Sequence, residues 1–258
     1  MSRRRKFSRR SRRRRRRGVA LLPNLITTAS LCAGFGAVLE AFGHRMEVAA
    51  LAILLGLVLD GLDGRVARAT GTVSAFGVEY DSLSDLVTFG VAPAVVGYLW
   101  ALEPLGRLGF IVAFMFVACG AMRLARFNVQ LGEVGTSHFV GLPIPAAAST
   151  IALGVLVSRE FGWAVNPWVW AGGMMFLSCL MVSTIPYLSL KEMALGRLKS
   201  FNGLVLAVLI LLLIAIHPQV MGFGLMALYV LGGPLGARLA ARSRARRSQP
   251  QPQETTVQ

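Results

Sequence analysis

Five of the chain's 12 acidic residues fall between positions 60 and 85: Asp60, Asp63, Glu79, Asp81 and Asp85. Asp60 closes the apolar run LAILLGLVL, and Asp85 precedes LVTFGVAPAVVGYLW. Carboxylates at such depths are expensive to bury and mark a functional site by default. Asp60 and Asp63 are three residues apart and Asp81 and Asp85 four apart, so each pair shares one face of a helix. Two consecutive helices can thus present two carboxylates each toward one another. Four such charges in a low-dielectric site repel unless cations sit between them. Hard oxygen donors favour Mg²⁺, Mn²⁺ or Ca²⁺, and two ions sharing bridging carboxylates is the economical arrangement.

The residues around the acids suit a phosphate. Gly61, Gly64 and Gly77 remove side chains where a helix or ligand must approach closely. Arg65 and Arg68 offer bidentate donors to phosphate oxygens. Thr72 and Ser74 add hydroxyls in the short connection. A calcium-binding EF-hand loop does not fit, because its terminal glutamate is missing.

The elements that carry these residues are membrane helices. Of 258 residues 55% are apolar, 15% are charged and the mean hydropathy is +0.61. These values exclude a soluble enzyme, a disordered chain and a small disulfide scaffold. Apolar stretches of roughly 20 residues suit a membrane helix, and eight are expected, near 20–42, 46–64, 82–101, 108–125, 143–158, 167–187, 202–216 and 219–237. The net charge of +15 comes mostly from 12 basic residues between Arg3 and Arg17. That run sets topology and attracts anionic lipid; no nucleic-acid role is expected. With the N-terminus cytoplasmic, 24 basic residues lie on the cytoplasmic side and 3 on the other. The expectation is an all-α, polytopic transmembrane bundle: a basic cytoplasmic tail (1–18), a transmembrane catalytic region (19–238) and a disordered C-terminal tail (239–258). Both termini then face the cytoplasm. Cys32, Cys119 and Cys179 lie apart in apolar stretches, so no disulfide or zinc site is expected.

Residues 60–85 read DGLDGRVARATGTVSAFGVEYDSLSD. This segment resembles the CDP-alcohol phosphatidyltransferase signature D-x2-D-G-x2-A-R-x8-G-x3-D-x3-D. Every fixed position matches: Asp60, Asp63, Gly64, Ala67, Arg68, Gly77, Asp81 and Asp85. The resemblance implies a six-helix catalytic core and an integral-membrane enzyme that joins an alcohol to the phosphatidyl group of a CDP-linked lipid and releases CMP. It implies that Asp60, Asp63, Asp81 and Asp85 hold a pair of divalent ions, Mg²⁺ or Mn²⁺, and that Asp85 is also the general base. It places Gly64, Arg68 and Ser74 against the CDP portion, and Asn24 and Thr27 beside the nucleotide.

Three further segments narrow the subclass. LPNLITTASLCAGFGA (22–37), MRLARFNV (122–129) and GLPIPAAA (141–148) are similar to segments of bacterial membrane-embedded phosphatidylserine synthases. The implied substrates are CDP-diacylglycerol and L-serine, at the inner membrane, in a homodimer. Arg123 and Arg126 are candidates for binding the acceptor or phosphate, or positive-inside anchors. Pro143 and Pro145 suit a helix start, and His138 is a weaker candidate ligand. Glycerol 3-phosphate or an inositol phosphate remains open as acceptor. An ion-coupled transporter is disfavoured, since the acids form one cluster and no internal repeat occurs.

Overall fold

The structure, a computed structural model, describes residues 3–72, 74–131, 141–185, 187 and 217–247. Among these residues every regular element is helical: α1 (Arg3–Phe42), α2 (Met46–Thr70), α3 (Ala75–Leu105), α4 (Arg107–Leu131), α5 (Ile144–Glu160), α6 (Pro167–Val182) and α7 (Pro218–Arg247). Three stretches are long and apolar enough to cross a membrane, Leu21–Phe42, Ala75–Leu105 and Arg107–Gln130, and α6 is a shorter apolar helix. α2 has comparable length but carries Glu47, Asp60, Asp63, Arg65 and Arg68. The chain is a membrane helical bundle.

Local chemistry sets the connections that matter. α2 stops at Gly71, whose φ of 63° is left-handed, while the Thr72 N–H donates to the Ala67 carbonyl at 3.1 Å. That is a glycine C-cap, and it turns the chain within a few residues. Ser74 then caps α3, its Oγ accepting from the Gly77 N–H at 3.0 Å. The short turn brings α3 back so that the aspartates of α2 and α3 meet. α3 widens into π-helical turns at Leu86–Val91 and Tyr98–Leu102. The first begins directly after Asp85 and delivers the chain to Pro93, which has no N–H to donate.

α1, α2 and α3 meet through small residues. Ser30 Oγ donates to the Gly56 carbonyl at 3.0 Å, and Thr88 Oγ1 donates to the Ser30 carbonyl at 3.2 Å. Such polar links with small side chains let membrane helices approach closely. α5 lies in the middle of the bundle: Ala147, Ala148, Ala152 and Val155 are fully buried, and the helix packs on α2 and α7. Large apolar side chains point outward instead, among them Phe35, Phe42, Phe110, Phe114 and Trp168, as suits a lipid-facing surface.

Several boundaries differ from expectation. α2 runs six residues beyond position 64 and α3 starts at Ala75 rather than 82. All four aspartates are therefore inside helices, where the spacing argument requires them. α1 begins at Arg3, so Asn24 and Thr27 sit in mid-helix rather than at a helix start. α7 continues through Arg247, past the point where a disordered tail was expected; its end is rich in alanine and arginine, both strong helix formers. Pro143 caps α5 and Pro145 lies in its first turn, as expected. The span expected at 202–216, His138, and the tail from 248 lie outside the described residues.

Candidate active site

The carboxylates converge. One oxygen each of Asp60, Asp63 and Asp81 lies within 4.8 Å of the others. Asp85, one turn after Asp81, is within hydrogen-bonding reach of Asp60. Asp63 is buried, and its Oδ2 accepts from Thr27 Oγ1 at 2.7 Å. Among the described residues none of the four is ion-paired with a basic side chain, and Asp81 Oδ1 is buried with no partner. An orphaned carboxylate oxygen aimed into a cluster of acids is costly. The donor set of hard oxygens, none of them ion-paired among the described residues, therefore fits a divalent cation. Glu79, the fifth acid of this stretch, is exposed and outside the cluster.

A cavity of about 180 Å³ opens beside Asp63 and Asp81. Its wall from α1 is Pro23, Asn24 and Thr27; its wall from α2 is Gly64, Ala67 and Arg68. Thr72, Ser74, Gly77 and Val78 complete it from the turn and α3. The structure thus brings Asn24, Thr27, Gly64, Arg68 and Ser74 together around one space. A Cβ at Gly77 would crowd this wall, standing 3.1 Å from Ser74 Oγ and 3.5 Å from Asn24 Oδ1. Gly61 has nothing within 4 Å of an added Cβ, so helix packing does not explain it. Arg65 is exposed and does not line the cavity, which separates it from Arg68.

Asp60 and Asp85 do not line this cavity. The Asp85 side of the cluster instead meets α4. The Arg123 guanidinium interacts electrostatically with Asp85, and its Nε is buried without a hydrogen-bond partner. Arg126 is used differently: its NH1 donates to the Val182 carbonyl at 3.2 Å, tying α4 to the last residue of α6. The two arginines, paired in sequence, have separate surroundings.

Sequence reasoning missed the residues that hold α3 in place. Ser84 Oγ donates to the Thr27 carbonyl at 3.2 Å. Tyr80 OH and Thr28 Oγ1 lie 2.9 Å apart, and Asn128 Nδ2 donates to Ser82 Oγ at 3.0 Å. Serine, threonine and tyrosine inside apolar runs give no signal of their own until their partners, 46 to 57 residues away, are known.

Thr27 offers a direct test. Thr27→Val keeps the shape and removes the hydroxyl that orients Asp63. Partners of metal-binding carboxylates are typically worth 10–100-fold in affinity or activity. A Mn²⁺ titration of turnover should show the midpoint shifted upward by about 10-fold or more; an unchanged midpoint would mean the Thr27–Asp63 bond does no positioning.

Comparison with known proteins places this arrangement. Residues 20–184 match the CDP-alcohol phosphatidyltransferase family. A CDP-diacylglycerol–serine O-phosphatidyltransferase of Helicobacter pylori (strain J99) is 38% identical over 215 residues, covering 83% of this chain and 89% of that protein. The protein of the same name from Bacillus subtilis (strain 168) is 36% identical over 179 residues, covering 69% of this chain and 96% of the relative. An archaetidylserine synthase of Methanothermobacter thermautotrophicus is 38% identical over 170 residues, covering 64% of this chain and 69% of that protein. The matched segment contains the whole acidic cluster and its cavity, and the chain belongs to the CDP-alcohol phosphatidyltransferase family.

Proposed function

We propose that this chain transfers the phosphatidyl group of CDP-diacylglycerol to L-serine, forming phosphatidylserine and CMP. The observation that carries this reading is the cluster of Asp60, Asp63 and Asp81 beside a cavity that also holds Arg68, Ser74 and Asn24, in a chain whose relatives bear the serine-transferase name over most of both lengths. An archaetidylserine synthase is also among the relatives, and its name again carries serine.

In this reading the cavity holds the CDP portion. Arg68 is the guanidinium donor for a phosphate oxygen, and the Ser74 and Thr72 hydroxyls serve the same group. Asn24 and Thr27 lie against the nucleotide. Asp60, Asp63, Asp81 and Asp85 would hold divalent metal, Mg²⁺ or Mn²⁺, as a pair of ions. Bound there, the metal supplies Lewis-acid polarisation of the pyrophosphate and neutralises charge on the departing CMP. Asp85 accepts the proton of the serine hydroxyl. The serine oxygen bonds to the phosphatidyl phosphorus, the anhydride bond from that phosphorus to the CMP phosphate breaks, and CMP leaves with the bonding pair. Arg123, which feels the charge of Asp85 and does not line the cavity, serves the acceptor.

The bundle would sit in the inner membrane with eight spans, six of them forming the catalytic core, both termini cytoplasmic and the chain paired as a homodimer. The basic run from Arg3 to Arg17 supports this orientation through its bias to the cytoplasmic side.

The test is CMP release by purified protein in lipid micelles containing CDP-diacylglycerol, with L-serine, glycerol 3-phosphate and an inositol phosphate compared. Release with serine is expected. Chelation should abolish it, and Mg²⁺ or Mn²⁺ should restore it. Release with a phosphorylated acceptor and none with serine would overturn the choice of acceptor. Full turnover after chelation would overturn the metal site.

A further inference from the structure

α3 carries two of the four aspartates, and neutral polar side chains hold it on two flanks. Ser84 Oγ donates to the Thr27 carbonyl at 3.2 Å, and Tyr80 OH lies 2.9 Å from Thr28 Oγ1; both links go to α1. Ser82 goes the other way, to α4, where Asn128 Nδ2 donates to its Oγ at 3.0 Å. Ser82 Oγ donates in turn to the Val78 carbonyl at 3.0 Å. One hydroxyl thus connects an α4 amide to the α3 backbone, at a residue that lines the cavity. α4 is itself held at this level, because Arg126 is tied to the Val182 carbonyl of α6.

The helical period makes these links a two-sided clamp. Tyr80 and Ser84 are four apart and share a face. Ser82 points about 160° away from each at 3.6 residues per turn, and Asp81 and Asp85 leave the helix between the two sides. Rotation of α3 about its axis therefore moves both carboxylates together. A side-chain tip about 5–6 Å from a helix axis moves about 1 Å for a turn of about 10°. The α1 links alone hold one side; the Asn128 link closes the other. The pair is uncharged and half-buried. It fixes the helix without adding a counter-charge that would compete with a cation for the carboxylates.

We propose that Asn128 is a positioning residue for Asp81 and Asp85: its amide, acting through the Ser82 hydroxyl, sets the rotation of α3 that keeps both carboxylates at the cluster. This rests on the reading of the cluster as a divalent-metal site.

The experiment compares the full-length wild type in lipid micelles with Asn128→Ala, Ser82→Ala, the double variant and Ser82→Thr. Mn²⁺ binding is measured without substrates, from the electron paramagnetic resonance signal of the free ion; kcat, the KM for CDP-diacylglycerol and the melting temperature follow. Asn128→Ala should weaken Mn²⁺ binding about 5-fold, the net worth of one hydrogen bond. Its kcat should fall about 10-fold or more, since a misplacement of about 1 Å can cost 10²-fold. The KM for CDP-diacylglycerol should stay within threefold, because neither Ser82 nor Asn128 lines the cavity. Ser82→Ala and the double variant should match Asn128→Ala within twofold, as expected of two residues that act as one unit. Ser82→Thr keeps the hydroxyl and should behave as wild type. If Asn128→Ala does not fold, Ser82→Ala removes the same link from the α3 side and carries the test. Wild-type Mn²⁺ affinity and kcat in a folded single variant, even with a lowered melting temperature, overturn the proposal, as do additive losses in the double variant. Wild type that binds Mn²⁺ and releases no CMP with serine overturns the serine reading instead, and the Mn²⁺ comparison then decides the role of Asn128. Wild type that binds no Mn²⁺ overturns both the metal site and this proposal.

Discussion

Asp85→Asn should reduce CMP release by about 10²–10⁴-fold, the range typical for losing a positioned general base. The substitution is nearly isosteric and keeps an oxygen that can face Asp60. It removes the ability to take a proton. Asp85 also stands at the junction of the α-helical part of α3 and the first π-turn, so its side chain is aimed by backbone rather than by a flexible loop. The loss should therefore appear in kcat, with the KM for CDP-diacylglycerol little changed, because Asp85 does not line the donor cavity. An unchanged melting temperature would show that the fold is intact. Turnover within threefold of wild type would eliminate Asp85 as the base and leave it at most a supporting carboxylate. The same measurement on Glu79→Gln serves as the control, since Glu79 is exposed and outside the cluster.

The second large effect is on packing. A Cβ added at Gly34 of α1 would stand 2.6 Å from the Thr88 Cα, and one added at Gly56 of α2 would stand 2.5 Å from the Thr88 Cγ2. Thr88 is fully buried where α1, α2 and α3 meet, three residues after Asp85. Gly34→Ala and Gly56→Ala should each destabilise by about 1–3 kcal/mol, the usual cost of overpacking a tight interface. The two clashes differ in kind. At Gly56 the obstacle is one methyl group, which Thr88→Ser removes while keeping the hydroxyl that donates to Ser30. At Gly34 the obstacle includes the α3 backbone, which no side-chain change removes. Thr88→Ser should therefore restore the thermal stability of Gly56→Ala and not of Gly34→Ala. Equal rescue of both, or of neither, would show that the three helices do not approach in this way. Because α3 carries Asp81 and Asp85, the unrescued variant should also lose activity in proportion to its displaced cluster.

Both results separate what was legible in the chain from what was not. The aspartate cluster was legible because helical spacing is local: residues three and four apart must share a face whatever surrounds them. The glycine cap at 71 and the serine cap at 74 are equally local but were not anticipated, and the extent of α2 and α3 was underestimated. Hydropathy stops registering a helix where functional acids and arginines enter it, which is why the expected ends fell short of Thr70 and beyond Ala75.

Composition and the length of apolar stretches determined the membrane class, and spacing at the helical period picked out the four carboxylates and the hard-cation chemistry they suit. Only the tertiary structure decided which side of the cluster faces the cavity. It likewise separated Arg123, beside Asp85, from Arg126, which is tied to α6. It alone joined Thr27 to Asp63 across 36 positions. The physical reason is that these side chains acquire direction from helices packed against them. Small residues such as Gly34 and Gly56 set that packing by what they leave empty, and an empty space has no periodicity to read.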